Sequence, residues 1–360
     1  MSELSAFTEV PVIDISGLRA TDPARRQLVV DQLGTASREV GFCYLTGTGI
    51  EARLFDDLLA VTQRFFALPL ESKMRYYIGN SRCHRGYVPE GEEVFSGGTH
   101  DRKEAFDTGL DLPPDDPDHL AGNLLIGPNQ WPELPAFADA VTAYYTEVLE
   151  LGRLLLTAFA MALGEPPESF QRVVTKPPSQ LRLIHYPFDP GARDVVGIGA
   201  HTDYECFTLL KPTAPGLEVL NGDGDWIDVP PLPDAFVLNI GDMLETWTNG
   251  EFIATTHRVR KVASQRYSFP LFFCVDYGTT IAPLPRFVRP GRPARSPVVA
   301  GEHLFAQTAQ SFGYLKRRIA AGELRLPDGA LALSSFGQEA RQREMAEPAA
   351  DSQEVNAVSQ

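Results

Sequence analysis

The sequence predicts an α+β fold with a mainly β core, a sandwich or jelly roll of short strands flanked by helices, one of them long. Three observations carry this. From Leu181 onward the chain breaks into short β-rich runs separated by turn residues. Ahead of them, apolar residues recur at helical spacing in several segments. The helices come mostly before the strands and need the sheet as a packing surface, so we read one domain rather than two.

Val10 to Ile15 (VPVIDI) reads as an opening strand. An amphipathic helix follows, with Val29, Leu33, Ala36 and Val40 on one stripe and Gly41 at its end. Phe42 to Thr46 is the next strand, and Leu54, Leu58, Val61 and Phe65 mark a second helix. Ser81 to Pro132 is rich in Gly, Pro and Asp, an irregular region of the kind that carries binding residues. The long helix starts near Pro135. Its stripe runs through Phe137, Val141, Tyr144, Val148, Leu151 and Leu155, and Gly164 with Pro166 and Pro167 stops it. The strands then read LRLIHY, GIGAHTD, FTLL, LEVL, DWIDV, AFVLNIGD, FIATTHRVR and RYSFPLFFCV, with a hairpin turn at Asn221 to Asp225. A last helix is expected from about Leu304 to Ala320, and the polar, aromatic-free tail from Arg343 reads as disordered.

The chain has 360 residues and a formal net charge of -15, from 47 acidic and 32 basic residues. No dense Lys/Arg run is present, which argues against a nucleic-acid partner. The first residues lack the basic start and apolar core of a secretory signal. The most apolar stretch, Leu154 to Leu163, is too short to span a bilayer. A soluble, cytoplasmic protein acting on a small molecule is expected; the oligomeric state is left open. Cys43, Cys83, Cys206 and Cys274 are scattered and form no CxxC motif, so we expect buried thiols rather than a zinc ribbon or disulfides.

The chemistry concentrates in His201-x-Asp203 and the distant His257. Two imidazoles and one carboxylate can hold one face of an octahedral metal and leave the other positions open. In an extended segment, residues i and i+2 point to the same side, so His201 and Asp203 can share a pocket. Gly197 and Gly199 allow close backbone approach ahead of the pair. Such a set suits iron, manganese or zinc, and the HExxH helix of a zinc peptidase is missing. The five other histidines, His84, His100, His119, His185 and His303, lack a comparable pattern and read as packing, loop or surface residues. Arg266-x-Ser268 repeats the same-face spacing and can clamp a carboxylate, with Tyr186 as a further phenolic donor. Arg85, Tyr87, Phe106, Tyr204, Phe207 and Phe272 are candidate substrate-pocket residues.

These motifs stand in an order that resembles the iron(II)- and 2-oxoglutarate-dependent dioxygenase superfamily, in the branch shared with isopenicillin N synthase and the plant-type soluble oxygenases. VPVIDIS, RGYVPEGEE and DRKEAFDTG are similar to that branch's N-terminal region. AHTDYECFTLL, GLEVLNGDGDWIDVPP, VLNIGDMLETWTNG, THRV and RYS are similar to its catalytic core. The resemblance implies a distorted double-stranded β-helix. It implies that His201, Asp203 and His257 bind iron(II), and that Arg266 and Ser268, assisted by Tyr186, bind 2-oxoglutarate. The implied reaction couples O2 and decarboxylation of 2-oxoglutarate to hydroxylation, desaturation or ring closure of a small substrate. It also implies one catalytic domain over residues 1–345, with an N-terminal region at about 10–125, a core at about 178–280 and a tail at 346–360. Many relatives carry an Asn two residues before the tyrosine, where this chain has Ile184. Three other readings compete: an oxidase like isopenicillin N synthase, which uses iron and O2 without 2-oxoglutarate; a non-catalytic protein that keeps the metal site; and, more distantly, a zinc hydrolase.

Overall fold

The computed structural model describes residues 5–93, 103–187, 196–260, 265–291 and 294–327. The N-terminal half holds β1 (Val12–Asp14), α1 (Pro23–Glu39), β2 (Phe42–Thr46), α2 (Ala52–Phe66), α3 (Leu70–Met74), β3 (Gly86–Val88), β4 (Glu104–Gly109), α4 (Pro117–Leu120) and α5 (Phe137–Ala162). The remainder begins with β5 (Gln180–Tyr186), β6 (Val196–His201), β7 (Phe207–Pro212), β8 (Leu217–Leu220), β9 (Trp226–Asp228) and β10 (Phe236–Ile240). It ends with α6 (Asp242–Trp247), β11 (His257–Arg260), β12 (Arg266–Phe273), β13 (Thr280–Ile281), β14 (Val298–Val299), α7 (Ala300–Ser311) and α8 (Gly313–Ala320).

Each predicted helix stripe faces inward. Val29, Leu33 and Ala36 of α1 are buried, and Asp22 caps its start by accepting from the Ala24 N–H at 2.9 Å. Leu58, Val61 and Phe65 of α2 are buried, with Leu54 half-buried. In α5, Phe137, Val141, Tyr144, Val148, Leu151 and Leu155 form the buried stripe. Gly164, at φ +70°, ends α5 in a Schellman turn: its N–H bonds the Met161 carbonyl and the Glu165 N–H bonds that of Ala160. The helix starts later than Pro135 suggests, because Ala136 takes a left-handed conformation at its N-terminus.

An eight-stranded sheet runs β1-β2-β10-β7-β12-β5-β4-β3, and a four-stranded sheet runs β6-β11-β8-β9. Helix α5 packs on α1, α2 and β12. Ile184 and Phe272 of the large sheet and Ile198 and His201 of the small one line a common cavity, so the sheets face each other as the two layers of a jelly roll. The buried apolar residues form one cluster extending from Phe7 to Leu315. All four cysteines are buried free thiols. No helix among the described residues is long and apolar enough to cross a membrane.

Three features differ from expectation. The irregular region contributes β4, whose six residues are all buried; its acidic residues hide its strand character, because Glu104 and Asp107 are neutralised inside the fold by Lys73 and Arg182. The last helix is two helices, broken at Phe312, where extended backbone pairs with Glu93. His201 ends β6, so Asp203 lies beyond the strand rather than in it. His100 and the tail from Arg343 lie outside the described residues.

Candidate metal and co-substrate site

Sheet register brings the distant histidines together. β6 and β11 pair antiparallel with His257 directly opposite His201, and the imidazole centroids lie 4.4 Å apart. The loop after β6 then turns Asp203 back toward both rings. Its carbonyl accepts from the Asp242 N–H at 2.9 Å, and Gly241 leaves room for this crossing, since a Cβ there would collide with the Glu205 carbonyl.

Hydrogen bonds leave one donor atom of each residue facing the centre. His201 Nδ1 donates to the Gly199 carbonyl at 2.8 Å and His257 Nδ1 to the Thr255 carbonyl at 3.2 Å. Both Nε2 lone pairs are therefore available, and each Nε2 lies 3.6 Å from Asp203 Oδ1. Asp203 Oδ2 accepts from Asn239 Nδ2 at 2.7 Å and from the Thr208 hydroxyl. Phe42 packs edge-on against His257 at 5.3 Å. The ligating atoms of the three residues all lie within 4.8 Å of one another. Outer partners that fix tautomer and carboxylate orientation are the usual support of a metal site.

The electrostatics match. Burial, then the neighbouring His257, lowers the His201 imidazole to about 4. Burial disfavours ionised Asp203, but His257, His201 and Thr208 outweigh it and hold the carboxyl well below the usual range. At His257 burial also opposes charge, yet the Asp203 carboxylate raises the imidazole above its ordinary value. An ionised carboxylate facing two imidazole nitrogens is a cation-ready donor set. These residues fit an iron(II) ion.

The predicted anion clamp sits in the large sheet. Tyr186 of β5 registers opposite Arg266 of β12, and Ile184 opposite Ser268. Arg266 is 1% exposed. Its Nε donates to the Ala214 carbonyl at 3.2 Å, while Nη1 and Nη2 have no partner among the described residues. Its guanidinium lies over the Tyr186 ring at 4.7 Å. Two orphaned, buried NH2 groups on a cation fit the carboxylate of 2-oxoglutarate. Ser268 lies on the same face of β12, buried.

The cavity over His201 and Asp203 measures about 90 Å³. Of the suggested pocket residues, Tyr204 and Phe272 line it. The other four serve the fold. Arg85 donates to the carbonyls of Cys83, His84 and Leu125. Tyr87 donates to Glu104. Phe106 packs against Phe65 and Phe137, and Phe207 stacks on Phe273. Sequence reasoning missed Thr208 and Asn239, and the charged cavity residues Glu93, Lys103 and Arg182. The available signal was a polar side chain inside an apolar strand, as in FVLNI and QLRLIHY.

Comparison with known proteins agrees with this geometry. Residues 10–134 match the family described as non-haem dioxygenase in morphine synthesis N-terminal, and residues 177–275 match the 2OG-Fe(II) oxygenase superfamily. The chain is 35% identical to the rice (Oryza sativa subsp. japonica) homoarginine-6-hydroxylase 2-ODD-233 over 86% of this chain and 99% of that protein. It is 32% identical to the 2-oxoglutarate-Fe(II) type oxidoreductase hxnY of Emericella nidulans, over 86% of this chain and 92% of that protein. Among solved structures, a 2OG-Fe(II) oxygenase family protein from Caulobacter crescentus superposes with a TM-score of 0.75 at 33% identity, covering 84% of this chain and all of that one. A full-length Neurospora crassa protein solved in complex with alpha-KG superposes with a TM-score of 0.72 at 26% identity, over 85% of this chain and 99% of that one.

The chain belongs to the 2OG-Fe(II) oxygenase superfamily. It is an iron(II)- and 2-oxoglutarate-dependent dioxygenase, with O2 as the other co-substrate. This displaces the reading in which 2-oxoglutarate is not used.

Proposed function

We propose that His201, Asp203 and His257 hold the iron, that Arg266 and Ser268 take the remote carboxylate of 2-oxoglutarate with Tyr186 packed beneath the guanidinium, and that the enzyme hydroxylates, desaturates or cyclises a small organic substrate. The observation that carries this is the convergence of three donor atoms within 4.8 Å, each with its remaining valence occupied by the protein. The bound metal would supply oxygen activation and oxidation of a C–H bond. The residues supply the rest. Asn239 and Thr208 hold Asp203 so that Oδ1 faces the imidazoles. The Gly199 and Thr255 carbonyls fix the histidine tautomers. Arg266 draws the co-substrate's carboxylate to a buried position, which orients its other end. Ile184 and Phe272 supply an apolar part of the cavity wall.

Relatives include homoarginine-6-hydroxylases, and the Neurospora crassa protein has a structure with thymine; a small polar substrate for this chain is in keeping with both. A single catalytic unit over residues 1–345, the isopenicillin N synthase-like branch and a cytoplasmic location are part of the same proposal. The test of the site is the iron content of His201→Ala, Asp203→Ala and His257→Ala after reconstitution. Each variant is expected to lose stoichiometric iron while keeping a folded far-UV circular dichroism spectrum. A full complement of iron in any of them would remove that residue from the ligand set.

A further inference from the structure

We propose that the buried ion cluster of Glu93, Lys103, Asp107 and Arg182 at the wall of the cavity selects the substrate by a net-neutral polar head that carries a hydrogen-bond donor beside an acceptor. The inference rests on the metal-site reading above and adds the chemical class of the substrate.

Adjacent strands build the cluster. Asp107 of β4 registers opposite Arg182 of β5. Arg182 Nε and Nη2 donate to the two Asp107 oxygens at 2.7 and 2.8 Å, and Nη1 donates to Glu93 Oε1 at 2.9 Å and Oε2 at 3.1 Å. Lys103 Nζ lies 3.1 Å from Glu93 Oε2. The exposures of Glu93, Lys103, Asp107 and Arg182 are 4%, 4%, 0% and 7%. Burying four charges is costly, and apolar side chains of similar volume commonly serve the fold as well or better. Backbone pairing already joins β4 to β5. The cluster's position explains its presence: Glu93, Lys103 and Arg182 share the cavity with His201 and Asp203, and Asp107 lies behind them.

The charges balance, two acids against two bases. Each of the four charges is paired within the cluster. His84 donates to or accepts from the Tyr314 hydroxyl at 2.6 Å, and burial, then Arg182, lowers it to about 3, so it is neutral. A ligand head of net charge would have to break one of these pairs to be compensated by the cluster. A head with both polarities would not. A guanidinium has five N–H groups and a carboxylate about four lone pairs, so the bonds above leave Arg182 an N–H and Glu93 Oε1 an acceptor site. The cluster is also set before any ligand arrives: Phe312 packs over Arg182 at 5.4 Å while its backbone pairs with Glu93. Ile184, Ile198 and Phe272 supply an apolar flank for the substrate's body.

Two kinds of molecule carry such a head: an α-amino acid zwitterion, with ammonium beside carboxylate, and a cyclic amide or urea, with N–H beside C=O. The test titrates the full-length protein, loaded anaerobically with iron(II) and 2-oxoglutarate, by calorimetry. One arm uses the standard L-amino acids and the Nα-acetyl derivative of any that binds. The other uses uracil, thymine and their N-methylated derivatives. Saturable binding in one arm, weakened at least about tenfold by blocking the nitrogen, is expected, and the arm that responds identifies the source. Glu93→Gln is expected to weaken the same ligand by about tenfold or more. Blocked derivatives that bind as tightly as their parents, or no binding in either arm, would overturn the proposal. Titration of 2-oxoglutarate alone reports separately on the metal and clamp assignment.

Discussion

Arg266→Leu should separate affinity from stability. The guanidinium is 1% exposed and bonded to protein only through Nε among the described residues, with Nη1 and Nη2 unpartnered. A carboxylate that accepts from both Nη groups gains charge-assisted bonds worth roughly 1.5–3 kcal/mol each. Losing them should weaken 2-oxoglutarate by about 2 kcal/mol or more, roughly 30-fold in Kd. The unliganded protein should respond differently. Leucine removes a buried cation with orphaned donors, which is favourable, and gives up the stacking on Tyr186, worth roughly 0.5–2 kcal/mol. The two effects oppose each other, so Tm without 2-oxoglutarate should move by no more than about 2–4 °C. Anaerobic 2-oxoglutarate titration and thermal unfolding of the same preparation measure both. An affinity within twofold of wild type, or a much larger drop in unliganded Tm, would refute the reasoning.

Further outcomes follow from other contacts. Thr208→Val and Asn239→Leu each remove a bond to Asp203 Oδ2 and should weaken iron binding by about 10–100-fold, measured by chelator competition; unchanged affinity would show that the carboxylate is held otherwise. At Gly152 of α5 a Cβ would enter the Phe273 ring, so Gly152→Ala should cost about 1–3 kcal/mol in urea unfolding; a neutral result would contradict the close packing of α5 on β12. Burial opposes ionisation of Glu93, but Arg182 and Lys103 outweigh it and lower the carboxyl from 4.5 to about 2. Its folded value lies below its unfolded one, so its contribution to stability is present above pH 4.5 and is lost as pH falls toward 2. Tm should fall across that window, and Glu93→Gln should flatten the fall; an unaltered slope would count against the pairing.

What was legible in the sequence follows from what sequence patterns encode. The stripes of α1, α2 and α5 could be read because each packs one face against a continuous core. His201 and His257 could be read as residues on short strands, although only sheet register places them opposite each other. Asp203 was assigned beside His201 for the wrong local reason: same-side alternation does not apply beyond the end of β6, and the turn held by Asp242 N–H aims it instead. β4 was hidden because its acidic residues look solvated until Lys73 and Arg182 are seen beside them. Strand parity, invisible while β4 reads as irregular chain, decides which of its side chains lie toward the cavity. Phe106 and Asp107 point to opposite faces of β4, and composition favours the aromatic although Asp107 is the residue behind the cavity. The break at Phe312 depends on pairing with Glu93, far away in sequence.

The most direct test is an anaerobic titration of the iron(II)-loaded protein with 2-oxoglutarate, followed by visible absorption, with Asp203→Ala alongside. The account predicts a weak band that saturates at one 2-oxoglutarate per iron in the wild type and is absent from the variant. An equal band in Asp203→Ala, or none in the wild type with iron demonstrably bound, would contradict the assignment of the metal and co-substrate site.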